Sequence, residues 1–130
     1  MRVLFVDDAA VSRAAFARIA RAAGFDVVGE AAGVDEGLAL AAALRPDAVV
    51  VDGRLVPDLP AAFVARLRAR DPAVAIFVVA ALGETALVRT AVEAGASGAL
   101  LRPVLASQLA RLLVPHASAA EDASRPDSAK

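Results

Sequence analysis

The chain has 130 residues, 58% of them hydrophobic and 22% charged, and its 14 Lys+Arg against 15 Asp+Glu give a formal net charge of −1. That length holds one ordinary domain with a real core, and that apolar content excludes wholesale disorder. The balanced charge leaves no footprint for nucleic acid or an anionic membrane, no apolar run reaches the ~18 residues of a bilayer span, and the lack of cysteine removes disulfides and thiolate chemistry.

In chain order, Val3-Leu4-Phe5-Val6 is a short buried strand that meets Asp7-Asp8. A start of this kind is no signal peptide, and a soluble cytoplasmic protein is expected. Residues 9–23 have helical period, with Val11, Ala15, Ile19 and Ala22 on one face and Gly24 at the expected C′ position. Residues 26–30 form a weak second strand, and 34–44 a helix through Leu38, Ala41 and Leu44 that stops at Arg45-Pro46. Residues 48–51 are a third strand running straight into Asp52. After Pro57, Pro60 is placed at position N1 of a helix that carries Phe63, Val64 and Leu67 to about Arg70. Residues 75–79 read as a fourth strand and 84–94 as a helix closed by Gly95. A short strand at 99–101 and a helix at 104–113 follow.

Strands apolar along their whole length, alternating with helices, imply a parallel sheet covered on both faces. Right-handed crossovers make a doubly wound α/β sandwich of five βα units the simplest topology. Beyond residue 114 the apolar period is lost, so the expected organisation is one domain over 1–114 and a flexible tail or linker stub over 115–130.

In such sheets the site lies outside the carboxyl ends of the strands, at the topological switch point. Asp7 and Asp8 follow the first strand and Asp52 ends the third. If those strands are neighbours, three carboxylates converge, and like charges ~4 Å apart repel by about 4 kcal/mol at an effective dielectric near 20. They need a cation, or one must stay protonated. An oxygen-only set suits Mg²⁺. Any one of these residues taken alone is equally well placed as a helix N-cap, Asp8 for residues 9–23 above all. A haloacid-dehalogenase-type phosphatase would need an Asp two residues after its nucleophile, where Ala9 and Ala10 stand, and an FMN protein a Ser/Thr/Gly-rich loop after the first strand.

The segments 3–8 (VLFVDD), 46–52 (PDAVVVD) and 93–103 (EAGASGALLRP), in this order and spacing, resemble the receiver domain of two-component response regulators over residues 1 to about 114. The resemblance implies a flavodoxin-like fold of strand order 2-1-3-4-5. It implies phosphorylation of Asp52 by a histidine kinase or phosphotransfer protein, in a signalling domain rather than a turnover enzyme. It also implies Mg²⁺ held by Asp8 and Asp52, by Asp7 through a water, and by the backbone carbonyl of Arg54. Homodimerisation through the face of the fourth helix, fifth strand and fifth helix, carrying Arg89, Glu93 and Arg111, belongs to the same expectation.

Several positions depart from the family pattern. Ala80 stands where a Ser or Thr ends the fourth strand, Ala99 where an aromatic switch residue lies, and Arg102 where a Lys precedes proline. Leu55-Val56-Pro57 replaces the usual Met-Pro, and Pro60 falls where glycine is common. The one lysine is Lys130, and Thr85 and Thr90 lie too far along the fourth helix to replace the hydroxyl. The expectation is an atypical receiver with its acidic site kept and its output switch lost, or a phosphorylation-independent interaction module on the same fold. Arg102 is expected to pair bidentately with Asp52. Arg13 is within reach of the acidic pocket or a kinase, whereas Arg66, Arg68 and Arg70 read as a solvated helix end and His116 as a solvated tail residue.

Overall fold

The computed structural model describes residues 1–55 and 59–111. Five strands, β1 (Arg2–Val6), β2 (Asp26–Ala31), β3 (Ala48–Asp52), β4 (Ala75–Ala80) and β5 (Gly98–Leu101), alternate with helices α1 (Ala10–Ala22), α2 (Val34–Leu44), α3 (Leu59–Arg70) and α4 (Thr85–Glu93). A last helical segment, α5, covers 106–111, so the helix expected over 104–113 starts two residues later than expected, and residues 112–113 of it lie outside the described residues, as do His116 and the tail. The sheet is wholly parallel in the order β2-β1-β3-β4-β5, as the resemblance implied.

Side chains alternate across a strand, so each strand feeds two cores. Leu4, Val6, Val49, Val51, Ile76 and Val78 face one way, against Leu38 and Ala41 of α2 and Phe63, Val64 and Leu67 of α3. Val3, Phe5, Val50, Phe77 and Val79 face the other, against Phe16 and Ala20 of α1 and Val104 and Leu109 near the C-terminal end. Burial on both faces is why the strands carry no polar alternation. Among the described residues no helix is long and apolar enough to cross a membrane.

Three readings of the sequence change. The buried residues of α1 are Phe16, Ala17 and Ala20, while Val11 is 85% exposed. The stacked rings of Phe5 and Phe16, 5.9 Å between centroids, set the helix rotation in a segment otherwise too rich in alanine to have a sharp apolar stripe. Pro60 is the second residue of α3 rather than the first, still within the turn whose N–H groups have no helical partner. Arg68 is not solvated like Arg66 and Arg70. Its Nε donates to the Gly95 carbonyl (3.0 Å), Nη1 to the carbonyls of Asp71, Pro72 and Val74, and Nη2 to Ser97 Oγ (3.4 Å). Ser97 Oγ in turn accepts the Ile76 N–H. One guanidinium therefore ties the ends of α3 and α4 to the entrance of β4, lying over Gly95, whose φ of 120° and close approach to Arg68 both exclude a side chain.

Candidate functional site

The acidic site follows from the β1–β3 register. Val6 pairs with Val51, so the next residue of each strand, Asp7 and Asp52, leaves the sheet side by side. One carboxylate oxygen each from Asp7, Asp8 and Asp52 lie within 4.8 Å of one another, and Asp7 (1% exposed) and Asp52 (5%) are buried while Asp8 is exposed. The three residues read from the sequence are thus brought together.

Their bonds fix each carboxylate differently. The Asp7 N–H donates to the Ala31 carbonyl (2.9 Å), and Asp7 Oδ1 accepts the Ala9 N–H (2.9 Å). Ala9 is the N-cap of α1 and no side chain caps that helix, so Asp8 is not spent on capping. Asp7 Oδ2 is buried with no partner among the described residues. A buried, unpartnered carboxylate oxygen is costly unless a cation completes it, and the oxygen-only donor set fits a hard divalent ion. Arg13 reaches the pocket from α1, its Nη1 donating to the Asp7 carbonyl (2.6 Å) while its Nε lies 3.5 Å from Glu30.

Asp52 Oδ1 accepts the Arg54 N–H (3.0 Å) and is paired with Arg102 Nη2. The pairing expected from the sequence is present, but it runs through one nitrogen and one oxygen, so it is not bidentate. Arg102 Nε is buried with no partner among the described residues. The Arg102 N–H donates to the Ala80 carbonyl (2.9 Å), which sets the end of β5 beside the end of β4.

Ala80 is fully buried and presents only a methyl group there. Ala99, half-buried, lines a groove of about 560 Å³ together with Leu82, Val88, Val92 and Leu101. Thr90 is bonded to the Leu87 carbonyl on its own helix and takes no part in the site.

Two contributors went unread. Gly53 follows Asp52 so closely against β4 that a Cβ would lie 2.6 Å from the Val79 carbonyl and 2.7 Å from Leu87. Its N–H donates to that same carbonyl (2.8 Å). Glu84 folds back so that Oε1 accepts the Ala81 N–H (2.6 Å), occupying the first amide after β4. A glycine directly after a strand-end carboxylate was the available signal for the first. The second has none, because the bonded partner is backbone.

A cluster of carboxylates at the switch point of a doubly wound sheet, approached by Arg13 and Arg102, defines an acidic site whose donor set fits a divalent cation. Residues 3–114 match the response regulator receiver domain, and the chain belongs to that family, the receiver domains of two-component signalling. It is 33% identical over 112 residues to the chemotaxis protein CheY of Thermotoga maritima, covering 86% of this chain and 93% of that one. It is 32% identical to a cyclic di-GMP phosphodiesterase of the same organism over 90% of this chain, which spans only 31% of that protein. Among solved structures, the signal receiver domain of a NarL-type regulator from Mycobacterium tuberculosis superposes with a TM-score of 0.81 at 28% identity, covering 90% of this chain and 95% of that one. A receiver domain from Clostridium thermocellum shares the fold with a TM-score of 0.84 at 19% identity, covering 92% and 96%.

Proposed function

We propose that this receiver accepts a phosphoryl group on Asp52 from a histidine kinase or phosphotransfer protein. The observation that carries the reading is the convergence of Asp7, Asp8 and Asp52, with Asp52 buried and held at Oδ1 by a guanidinium. A carboxylate oxygen of Asp52 attacks phosphorus, forming a P–O bond as the P–N bond of the donor phosphohistidine breaks. The imidazole leaves with that electron pair and is protonated from solvent. Mg²⁺ would be held by Asp7, Asp8, Asp52 and the Arg54 backbone carbonyl, and it supplies charge neutralisation between nucleophile and phosphoryl group.

Three large apolar residues stand exposed just beyond strand ends on this side of the sheet: Val11 (85%), Leu82 (87%) and Leu105 (60%). They support a protein partner docking over the pocket, since an exposed apolar set around a polar site marks contact surface. A neighbour in fold, 20% identical, is seen in the CheX–CheY complex of Borrelia burgdorferi with beryllium trifluoride and magnesium. Homodimerisation through α4, β5 and α5 belongs to the same proposal. The groove there is apolar, and its rim carries Arg89 and Glu93, opposite charges that can pair across a two-fold axis.

The alanines at 80 and 99 and the occupied Oδ1 of Asp52 favour a second reading, a phosphorylation-independent interaction module. Intact-mass measurement with Mg²⁺ and a small acyl-phosphate donor separates the two. The phosphoacceptor gains one phosphoryl group, and Asp52→Asn abolishes the gain. A folded wild type that gains nothing at any donor concentration overturns the phosphoacceptor reading and favours the second.

A further inference from the structure

An arginine carries two parallel N–H bonds on one edge, Nε and Nη2, a spacing that matches two oxygens of one phosphoryl group. At Arg102 that edge is half used. Nη2 is on Asp52 Oδ1, and Nε is buried with nothing to bond among the described residues. A buried N–H left without an acceptor costs free energy, so an incoming oxygen that fills it is favoured by what the resting state lacks.

The rest of the pocket wall has little left to give. Ala80 offers a methyl group, the Ala81 N–H is taken by Glu84, the Gly53 N–H by the Val79 carbonyl and the Leu55 N–H by the Asp52 carbonyl. The Arg54 N–H already serves Asp52 Oδ1. On the side of the site formed by the ends of β4 and β5, Arg102 therefore retains a buried unspent side-chain donor among the described residues.

We propose that Arg102 binds the phosphoryl group of phosphorylated Asp52 through both Nε and Nη2, replacing by one side chain the basic contact and the hydroxyl contact that position 80 no longer supplies. Nη2 turns from the carboxylate oxygen to a phosphoryl oxygen, and Nε gains its first partner. The inference rests on the phosphoacceptor reading and assigns the specificity of that site for a tetrahedral, multi-oxygen group to a guanidinium fork.

The test uses beryllium trifluoride as a non-covalent phosphoryl mimic at saturating Mg²⁺, with affinity read by calorimetry and by ¹⁹F NMR. Arg102→Lys keeps the charge and loses the fork, and should weaken the mimic about tenfold to a hundredfold, the worth of a charge-assisted hydrogen bond. Ala80→Ser alone should leave affinity within about threefold, since the fork already fills both contacts. In the Arg102→Lys background the same Ala80→Ser change should recover most of the loss, a rescue that a merely structural arginine would not give. Circular dichroism establishes that each variant is folded, and Arg102→Gln serves as the second fork-less variant should the lysine variant unfold. A fork-less variant that binds as tightly as wild type overturns the fork alone. A folded, Mg²⁺-loaded wild type that does not bind the mimic overturns the phosphoacceptor reading, and the fork with it.

Discussion

Replacing Arg102 by Gln removes one positive charge from a pocket that holds three carboxylates, and the consequence can be worked through. Two carboxylate charges 4.8 Å apart, the outer limit of the cluster, repel by about 3.5 kcal/mol at an effective dielectric of 20. The guanidinium offsets part of that repulsion through Asp52. It is about a fifth exposed, so the attraction is partly screened, and Asp52 is left buried and unpaired when it goes. A loss of about 2–3 kcal/mol in metal-free stability follows, below the 3–5 kcal/mol of a fully buried pair. For a domain of this size that is a melting temperature lower by roughly 10 °C.

Mg²⁺ should reverse the order. A guanidinium beside a dication repels it by about 7 kcal/mol at the separation used above, and a quarter of that is already more than a tenfold change in affinity. The Gln variant should therefore bind Mg²⁺ at least about tenfold more tightly than wild type, and its melting temperature should climb more steeply with added MgCl₂. Thermal denaturation across a Mg²⁺ titration reads both effects. Equal melting temperatures without metal, or parallel Mg²⁺ curves for the two proteins, would refute the argument that Arg102 acts as the resting counter-ion of the pocket.

Substitutions at four other positions test the scaffold. Gly53→Ala drives a Cβ into the Val79 carbonyl and Leu87 and should cost about 1–3 kcal/mol of stability in urea denaturation while weakening Mg²⁺ binding, because Asp52 precedes it directly. Arg68→Met keeps the stem but removes the hydrogen bonds to Gly95, Asp71, Pro72 and Val74, leaving three part-buried carbonyls without that donor. A loss of about 2–4 kcal/mol is expected, with Arg68→Lys recovering only part of it. Phe16→Ala should cost about 3–5 kcal/mol by opening a cavity against Phe5, whereas Val11→Ser on the same helix should stay within about 0.5 kcal/mol. Equal effects of the last pair would mean that α1 packs through the face centred on Val11 after all.

The sheet and its acidic corner were legible because their signals are one-dimensional. Four consecutive apolar residues followed by Asp, as at Val3–Val6 and Ala48–Val51, carry both the burial of a central parallel strand and the place where the chain leaves it. Once β1 and β3 are neighbours, Asp7 and Asp52 have nowhere else to go. What was not legible depends on partners without a side-chain signature. Arg68 bonds mainly to main-chain carbonyls, and Glu84 to a main-chain amide, so neither has a complementary residue at a readable spacing. The rotation of α1 was missed because alanine on every face blurs a 3.6-residue period, and the ring that decides it packs against a ring in another element. The single-atom geometry of the Arg102–Asp52 pair is a matter of side-chain torsions, which spacing does not encode.

The two alanines also restrict how far an event at Asp52 can travel. Signal passage through a packed domain needs an element with two discrete arrangements. An alanine has no side-chain rotamer to switch, so neither Ala80, fully buried at the end of β4, nor Ala99 in the groove beside α4 can be such an element. Arg102 has the necessary torsions, and it is bonded to Asp52 in the unphosphorylated state. Its main chain leads directly to Val104 and Leu109, both buried in the core beneath α1 and β1. On the phosphoacceptor reading, a charge change at Asp52 is therefore carried by the movement of Arg102 into the segment 102–109. Helix α4 is held at its C-terminal end, where Arg68 donates to the Gly95 carbonyl, and it has no switching side chain at 80 or 99 to connect it to the site.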